Sequence, residues 1–124
     1  MLKYCMIGIG GFAGAIARYA LGVYIGSRYG VRFPLGTFVI NMSGSFLIGV
    51  IMTLLARTTA SAYWRYLFPI GFIGAYTTFS TFEYETLRAI QDGQVMTGLL
   101  NVGLSLIVGF VAVWLGVMLG RVIV

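Results

Sequence analysis

Side chains that commonly carry enzyme chemistry are scarce in this sequence. Its 124 residues include no histidine, one cysteine and three acidic residues. Hydrolysis by a serine lacks a base that could activate the hydroxyl, and metal catalysis lacks a cluster of ligands. The lone Cys5 has no partner for a disulfide within the chain and is interpreted as a small apolar packing residue. The sequence therefore predicts that the protein is not an enzyme.

Charge is also sparse, and long hydrophobic runs take its place. Only 9% of the residues are charged, 60% are hydrophobic, and the mean hydropathy is +0.98. Four stretches, at about residues 4–24, 35–56, 63–87 and 95–122, are long enough to cross about 30 Å of hydrocarbon at about 1.5 Å per residue. The sequence predicts one all-α integral membrane domain, residues 1–124, with four transmembrane helices.

Most basic residues fall near the predicted helix ends, where lysine and arginine anchor proteins at the lipid interface. These residues are Lys3, Arg28, Arg32, Arg57, Arg65, Arg88 and Arg121. Four of them lie on one predicted side of the membrane and three on the other, so positive charge selects no orientation. The net charge of +5 is therefore interpreted as lipid anchoring, with no nucleic-acid partner. A protein that inserts both ways could form an antiparallel homodimer.

Glycines recur at four-residue spacing, as at Gly10 and Gly14, and at Gly116 and Gly120. In membranes this spacing is typical of helices that approach each other closely. The sequence leaves open whether these contacts lie within one subunit or between two. A second copy would help, because four helices of this length leave little room for a lined pathway.

Polar residues form stripes on three of the predicted helices. The stripes are Asn41, Ser45 and Gly49 on the second helix; Thr77, Ser80 or Thr81, and Tyr84 on the third; and Asn101, Ser105 and Gly109 on the fourth. Serine and threonine often bond back to their own helix, whereas one helix cannot satisfy an asparagine amide well. Asn41 is therefore the strongest functional candidate on chemistry alone.

The polar groups inside the spans are mostly hydroxyls, amides and aromatic ring edges. Amide and hydroxyl donors favour an anion, whereas carboxylates and carbonyls would favour a cation. Arg18 either extends to the interface or lines a wet vestibule that attracts anions. Glu83 and Glu85 are not explained by an anion pathway, and a helix-end ion pair of Glu85 with Arg88 is the simplest interpretation.

Three segments together resemble the Fluc (CrcB) fluoride channel family of microorganisms. They are GGFAGAIARY in the first helix, PLGTFVINMSGSFLIG in the second and GFIGAYTTFSTFE in the third. The resemblance covers the chain, whose length is close to that of single-repeat members. It implies a passive, fluoride-selective channel that exports cytoplasmic fluoride, built as an antiparallel dual-topology homodimer with two pores. It also implies a multi-pass plasma-membrane protein, in the inner membrane if the host is Gram-negative.

The resemblance also implies roles for particular residues. The pore phenylalanines match Phe79 and Phe82, and the pore asparagine matches Asn41. The polar track matches Ser80 and Thr81.

Further along this track Ser105 stands in the expected register, while Asn101 stands where many members carry tyrosine. The family's first-helix arginine matches Arg18. A sodium ion on the dimer axis, held by backbone carbonyls where the third helix breaks, maps to Gly74 and Thr77.

A small multidrug transporter is the main alternative, because it is also an antiparallel dimer of four-helix subunits. Proton-coupled export of cationic drugs needs a carboxylate within the membrane that can titrate. Glu83 and Glu85 are the only candidates for that role in this sequence.

Overall fold

The third transmembrane span is made of two helices and the other three spans of one each. The computed structural model describes residues 1–30, 32–59 and 61–124, and the described residues contain no strand. The helices are α1 (Leu2–Tyr29), α2 (Leu35–Arg57), α3 (63–76), α4 (Phe79–Gln91) and α5 (Val95–Ile123). Helices α1, α2 and α5 are each long and apolar enough to cross a membrane. The predicted all-α membrane fold with a broken third helix is confirmed.

The observed helices are longer than the predicted spans, because the helical backbone continues into polar residues beyond the apolar runs. Helix α1 continues past the predicted end at residue 24 to Tyr29, and its last turns include the buried Ile25. Helix α4 ends in a Schellman motif, in which Gly93 has φ 80°. The Gln94 amide donates to the Ala89 carbonyl at 2.8 Å and the Gly93 amide to the Ile90 carbonyl at 3.1 Å.

Helix α3 is wound as a π-helix from Tyr66 to Ile73. Pro69 lies inside this segment. In an α-helix its ring would clash with the carbonyl four residues earlier and one hydrogen bond would be lost. The wider turns of a π-helix relieve this conflict, and such segments are frequent at functional sites. Pro69 is therefore the local sequence signal for this irregularity.

The break itself comprises two residues in extended conformation. Thr77 has ψ 155° and Thr78 has ψ 112°, whereas Gly74 remains helical with φ −60°. The Thr78 hydroxyl accepts a hydrogen bond from the Thr81 amide at 3.3 Å, so Thr78 is the N-cap of α4. The chain therefore leaves α3 and begins α4 within one short, capped turn of backbone.

Glycines bring the helices of one subunit into backbone contact. Helix α1 packs along α3, where a side chain at Gly10 or Gly14 would meet backbone atoms of Leu67 or Phe72. Helix α2 packs along α5, where a side chain at Gly49 would meet the backbone of Val113. These glycines serve contacts within the subunit, which the sequence had left open.

Few large apolar side chains are buried within the described part of a single subunit. Those described as buried are Ile25, Ile40, Ile73 and Tyr76. Many other apolar side chains, such as Phe12, Phe79 and Phe110, are more than two thirds exposed. A surface of this kind is suited to lipid or to a second protein copy, because a water-soluble subunit would bury more of it.

We expect Gly116→Ala to lower the stability of the folded subunit. A methyl group at Gly116 would collide with the backbone carbonyl of Phe46, which cannot move away as a side chain can. Such overpacking costs roughly 1–3 kcal/mol. Gly103→Ala is the matched control on the same helix, because nothing lies within 4 Å of its added methyl. Equal melting temperatures of the two purified variants in detergent would contradict this prediction.

Candidate functional site

Asn41 binds the backbone of the break through both the oxygen and the nitrogen of its side-chain amide. Its Oδ1 accepts from the Thr78 amide at 2.8 Å, and its Nδ2 donates to the Thr78 carbonyl at 3.0 Å. The pair closes a two-bond clamp between α2 and a residue 37 positions later. Extended backbone inside a membrane needs such partners, because lipid supplies none. One hydrogen of the Nδ2 group remains available for another acceptor.

Arg18 satisfies the other side of the break. Its Nε donates to the carbonyl of Ala75 at 3.0 Å, in the last turn of α3. The final carbonyls of a helix lack partners within the helix and carry partial negative charge, so a guanidinium there is favourable. Arg18 therefore does not simply extend to the interface, which was one of the two sequence-based alternatives.

Two further contacts hold the end of α3 in place. The Thr77 hydroxyl and its own amide both donate to the Ile73 carbonyl, at 2.9 Å and 3.0 Å. The Ser43 and Tyr76 hydroxyls are hydrogen-bonded at 2.8 Å, and either oxygen can be the donor. Four separate side-chain contacts thus fix a break of only two residues.

A groove of about 470 Å³ opens beside the break, and we call it the aromatic groove. Its lining includes Asn41, Ser45, Thr77, Phe79, Phe82 and Ser105, together with Gly74. The rings of Phe79 and Phe82 have centroids 5.7 Å apart and are tilted by 39°. Among the described residues that line this groove, none has a side chain that carries a charge. Its polar groups are hydroxyls, one amide and ring edges.

A second cavity of about 450 Å³ shares Thr78 with the aromatic groove, and we call it the arginine cavity. Arg18, Thr37, Thr78, Thr81 and Glu85 line it. The two spaces therefore meet at the break. The lining of the arginine cavity combines one guanidinium, several hydroxyls and one carboxyl group.

Glu85 is half-buried and lines the arginine cavity as well as a shallow pocket beside Arg88. Its Oε2 atom is buried without a hydrogen-bond donor among the described residues. Arg88 pairs with Asp92, with 3.4 Å between Arg88 Nε and Asp92 Oδ2. The interpretation of Glu85 as the helix-end ion partner of Arg88 is therefore wrong. Glu85 lies three residues before Arg88 and Asp92 four residues after it, so both are neighbours of Arg88 on the helix surface, and the structure pairs Arg88 with Asp92.

Asn101 is the most deeply buried polar side chain, with 2% of its surface exposed. Its Nδ2 donates to the Thr86 hydroxyl at 2.8 Å, and Thr86 in turn donates to the Phe82 carbonyl at 2.7 Å. The Ser105 hydroxyl donates to Asn101 Oδ1 at 3.4 Å. This chain of hydrogen bonds joins α5 to α4 beneath Phe82, and it supports the backbone that carries the ring.

The residues named from the sequence separate into three groups in space. Six of them line the aromatic groove, namely Asn41, Gly74, Thr77, Phe79, Phe82 and Ser105. Arg18 and Thr81 line the arginine cavity. Ser80 is exposed and lines neither space in the subunit. Thr37 was missed, because a single threonine near a helix start has no distinctive spacing.

Residues 5–117 match the family described as "CrcB-like protein, Camphor Resistance (CrcB)". A protein of Acidobacterium capsulatum named "Fluoride-specific ion channel FluC" is 56% identical, with 99% of each chain covered. Proteins of the same name from Solibacter usitatus and Hydrogenovibrio crunogenus are 50% and 41% identical, over 97% and 98% of this chain and 99% and 92% of theirs. The chain therefore belongs to the CrcB family.

Proposed function

We propose that this protein is a passive, fluoride-selective channel that exports cytoplasmic fluoride. It is a multi-pass protein of the plasma membrane. The observation that carries the proposal is the aromatic groove, which combines amide, hydroxyl and ring-edge groups with no charged side chain. Relatives named as fluoride-specific channels over their full length support the same ion.

The groups of the aromatic groove are suited to an anion that must both enter and leave. Fluoride is small and strongly hydrated, so its pathway has to replace water with several close donors. The free hydrogen of Asn41 Nδ2, nearby hydroxyls and the positive edges of Phe79 and Phe82 are each weak donors. Conduction requires binding that is favourable but shallow, and a buried ammonium in the groove would bind too tightly. Fluoride therefore passes beside the rings without a deep trap.

Arg18 has a separate role at the entrance to this pathway. Its guanidinium lines the arginine cavity while its Nε is bonded to Ala75, so the charge stays fixed near Thr78 and Thr81. A fixed positive charge in a restricted, wet space raises the local concentration of anions. We propose that fluoride collects here before it reaches the break.

The second part of the proposal is an antiparallel homodimer with two pores. Phe79 is 69% exposed in the single subunit, and the aromatic groove is open at the subunit surface. A partner that covers this face would close the groove into a pathway. Because positive charge selects no orientation, subunits of both orientations can meet in one bilayer. A reporter fused to the C-terminus should appear on both sides of the membrane, and its appearance on one side alone would contradict the proposal.

A sodium ion at the dimer axis is the third part of the proposal, and the residues present fit it. Among the described residues, none donates a hydrogen bond to the carbonyl oxygens of Gly74 or Thr77. Gly74 is also exposed in the single subunit, where a second copy could bring matching carbonyls. A sodium ion would supply the positive charge that unpaired carbonyls need at membrane depth. Replacing sodium by a large organic cation should then weaken the dimer, and an unchanged dimer would oppose this assignment.

The proposed function is tested directly by fluoride release from liposomes. Purified protein is reconstituted in vesicles loaded with potassium fluoride, a potassium ionophore balances the charge, and a fluoride electrode records the efflux. Release should begin when the ionophore is added and should need no pH gradient. Vesicles loaded with chloride are the selectivity control. Equal release of chloride, or no release of fluoride, would contradict the proposal.

The buried oxygen of Glu85 is the one observation that favours proton-coupled drug export instead. The double variant Glu83→Gln, Glu85→Gln separates the two functions, because it removes both carboxylates from the third span. We expect fluoride efflux to be independent of a pH gradient in the parent protein and in the double variant. The exporter would be established instead if the parent protein exported a cationic dye in response to the pH gradient and the double variant did not.

A further inference from the structure

A groove between the ends of α2 and α5 carries two arginines and lies far from the break. Arg57 and Arg121 line it together with Met52, Thr53, Ala56 and Val117, and its volume is about 280 Å³. We call it the basic groove. Both arginines are exposed, as are Met52 and Ala56. The groove therefore offers two guanidinium groups at one end and an apolar floor at the other.

Close packing of α2 on α5 is the reason that these two arginines share one groove. A side chain at Gly120 would approach Thr53 Cβ to 2.7 Å, and one at Gly116 would meet the Phe46 carbonyl. Such contacts bring the two backbones together up to their last turns, from which Arg57 and Arg121 project. The arrangement is thus set by rigid helix packing and not by mobile loops.

The hydrogen-bonding capacity of this groove is largely unused. Arg57 Nη1 donates to the Val124 backbone oxygen at 3.3 Å, which leaves most of its five donors available. The Thr53 hydroxyl donates its proton to the Gly49 carbonyl at 2.8 Å. No carboxylate side chain lines the groove among the described residues.

Acidic residues are confined to the opposite end of the molecule. All three of them, Glu83, Glu85 and Asp92, lie on or directly after α4, which runs toward the other side of the membrane. At that end Arg88 is paired with Asp92, and Arg28 lies over the ring of Tyr24. No acidic side chain therefore lies at the end of the molecule that carries Arg57 and Arg121.

We propose that the basic groove binds the phosphate of an anionic phospholipid. Guanidinium groups bind phosphate oxygens through paired hydrogen bonds, and two arginines line this one groove. The acyl chains would lie on the apolar floor formed by Met52, Ala56 and Val117. Basic grooves between membrane helices at the interface are suited to such headgroups. This site is independent of the proposed channel function, since none of its lining residues belongs to the aromatic groove or the arginine cavity.

Native mass spectrometry of the full-length protein, delipidated and then titrated with phosphatidylglycerol, tests the proposal. The parent protein should retain bound phosphatidylglycerol, and the double variant Arg57→Gln, Arg121→Gln should bind it about thirtyfold more weakly. That factor corresponds to two interfacial charges of ordinary strength. Phosphatidylcholine, which has no net charge, should bind both proteins equally weakly.

Arg65→Gln is the matched control, because it removes one charge from the same end of the molecule outside the basic groove. It should retain the binding of the parent. If Arg65→Gln lost as much lipid binding as the double variant, the attraction would be a general property of the charged surface. If the double variant kept the full lipid binding, the basic groove would not be a site. Either result overturns the proposal. A competing titration with inorganic phosphate distinguishes the two sources of this group. Displacement of the lipid by millimolar phosphate would show a free-anion site and would also overturn it.

Discussion

Replacing Phe82 by isoleucine is expected to abolish or strongly reduce fluoride efflux while the folded protein persists. Phe82 lines the aromatic groove, and its ring lies 5.7 Å from that of Phe79. Isoleucine retains apolar bulk but has no ring, so the positive edge that would face an anion is lost. A fall of about tenfold or more in the rate of release is expected, which corresponds to a loss of roughly 1.4 kcal/mol.

The control for this variant is Phe110→Ile, the same chemical change outside the aromatic groove. Phe110 is 76% exposed and lies on α5. Its replacement should leave fluoride release near the parent rate. Size-exclusion chromatography must give the same profile for both variants, so that a loss of flux is not a loss of assembly. A purified Phe82→Ile protein that conducts at the parent rate would exclude Phe82 from the pathway.

Replacing Asn41 by alanine is expected to reduce both fluoride efflux and stability. The change removes the two-bond clamp and leaves the amide and the carbonyl of Thr78 without partners. An unsatisfied buried polar group costs about 1–3 kcal/mol, so the melting temperature should fall clearly. Efflux should fall further than stability explains, since the free amide hydrogen is lost as well.

Two variants separate these effects. Ser45→Ala removes a hydroxyl from the same groove without touching the break, so it should keep the parent melting temperature. Asn41→Asp retains an acceptor for the Thr78 amide but places negative charge in the pathway, so it should block fluoride more than it lowers stability. If Asn41→Ala melted and conducted like the parent, both roles of Asn41 would be refuted.

The role of Asn41 shows what sequence reasoning could and could not predict. The amide was correctly identified as needing partners that one helix cannot provide. Its partner, the Thr78 backbone 37 residues later, could not be identified, because periodicity describes one helix and not its neighbour. Arg18 is similar, since its bond to the Ala75 carbonyl spans 57 residues. The need of Asn41 for partners follows from its chemistry, whereas the bond of Arg18 to the end of α3 was not predicted.

Glu85 shows the opposite case. Local spacing favoured an ion pair with Arg88, and spacing alone could not reveal that Asp92 takes that position. The burial of Glu85 depends on α1 and α2, which contribute Arg18 and Thr37 to the same cavity. Asn101 was likewise underestimated, because its position near the start of α5 gave no sign of its 2% exposure.

The sequence by itself determined that this protein lies in a membrane, crosses it with four spans and belongs with fluoride channels. These properties depend on hydropathy, helical spacing and short motifs, which are local. Only the tertiary structure decided that the break is two residues long, that four side-chain contacts hold it and that two cavities meet at it. The physical reason is that buried polar groups must be satisfied by whatever lies beside them in space, and in this fold those partners come from distant helices.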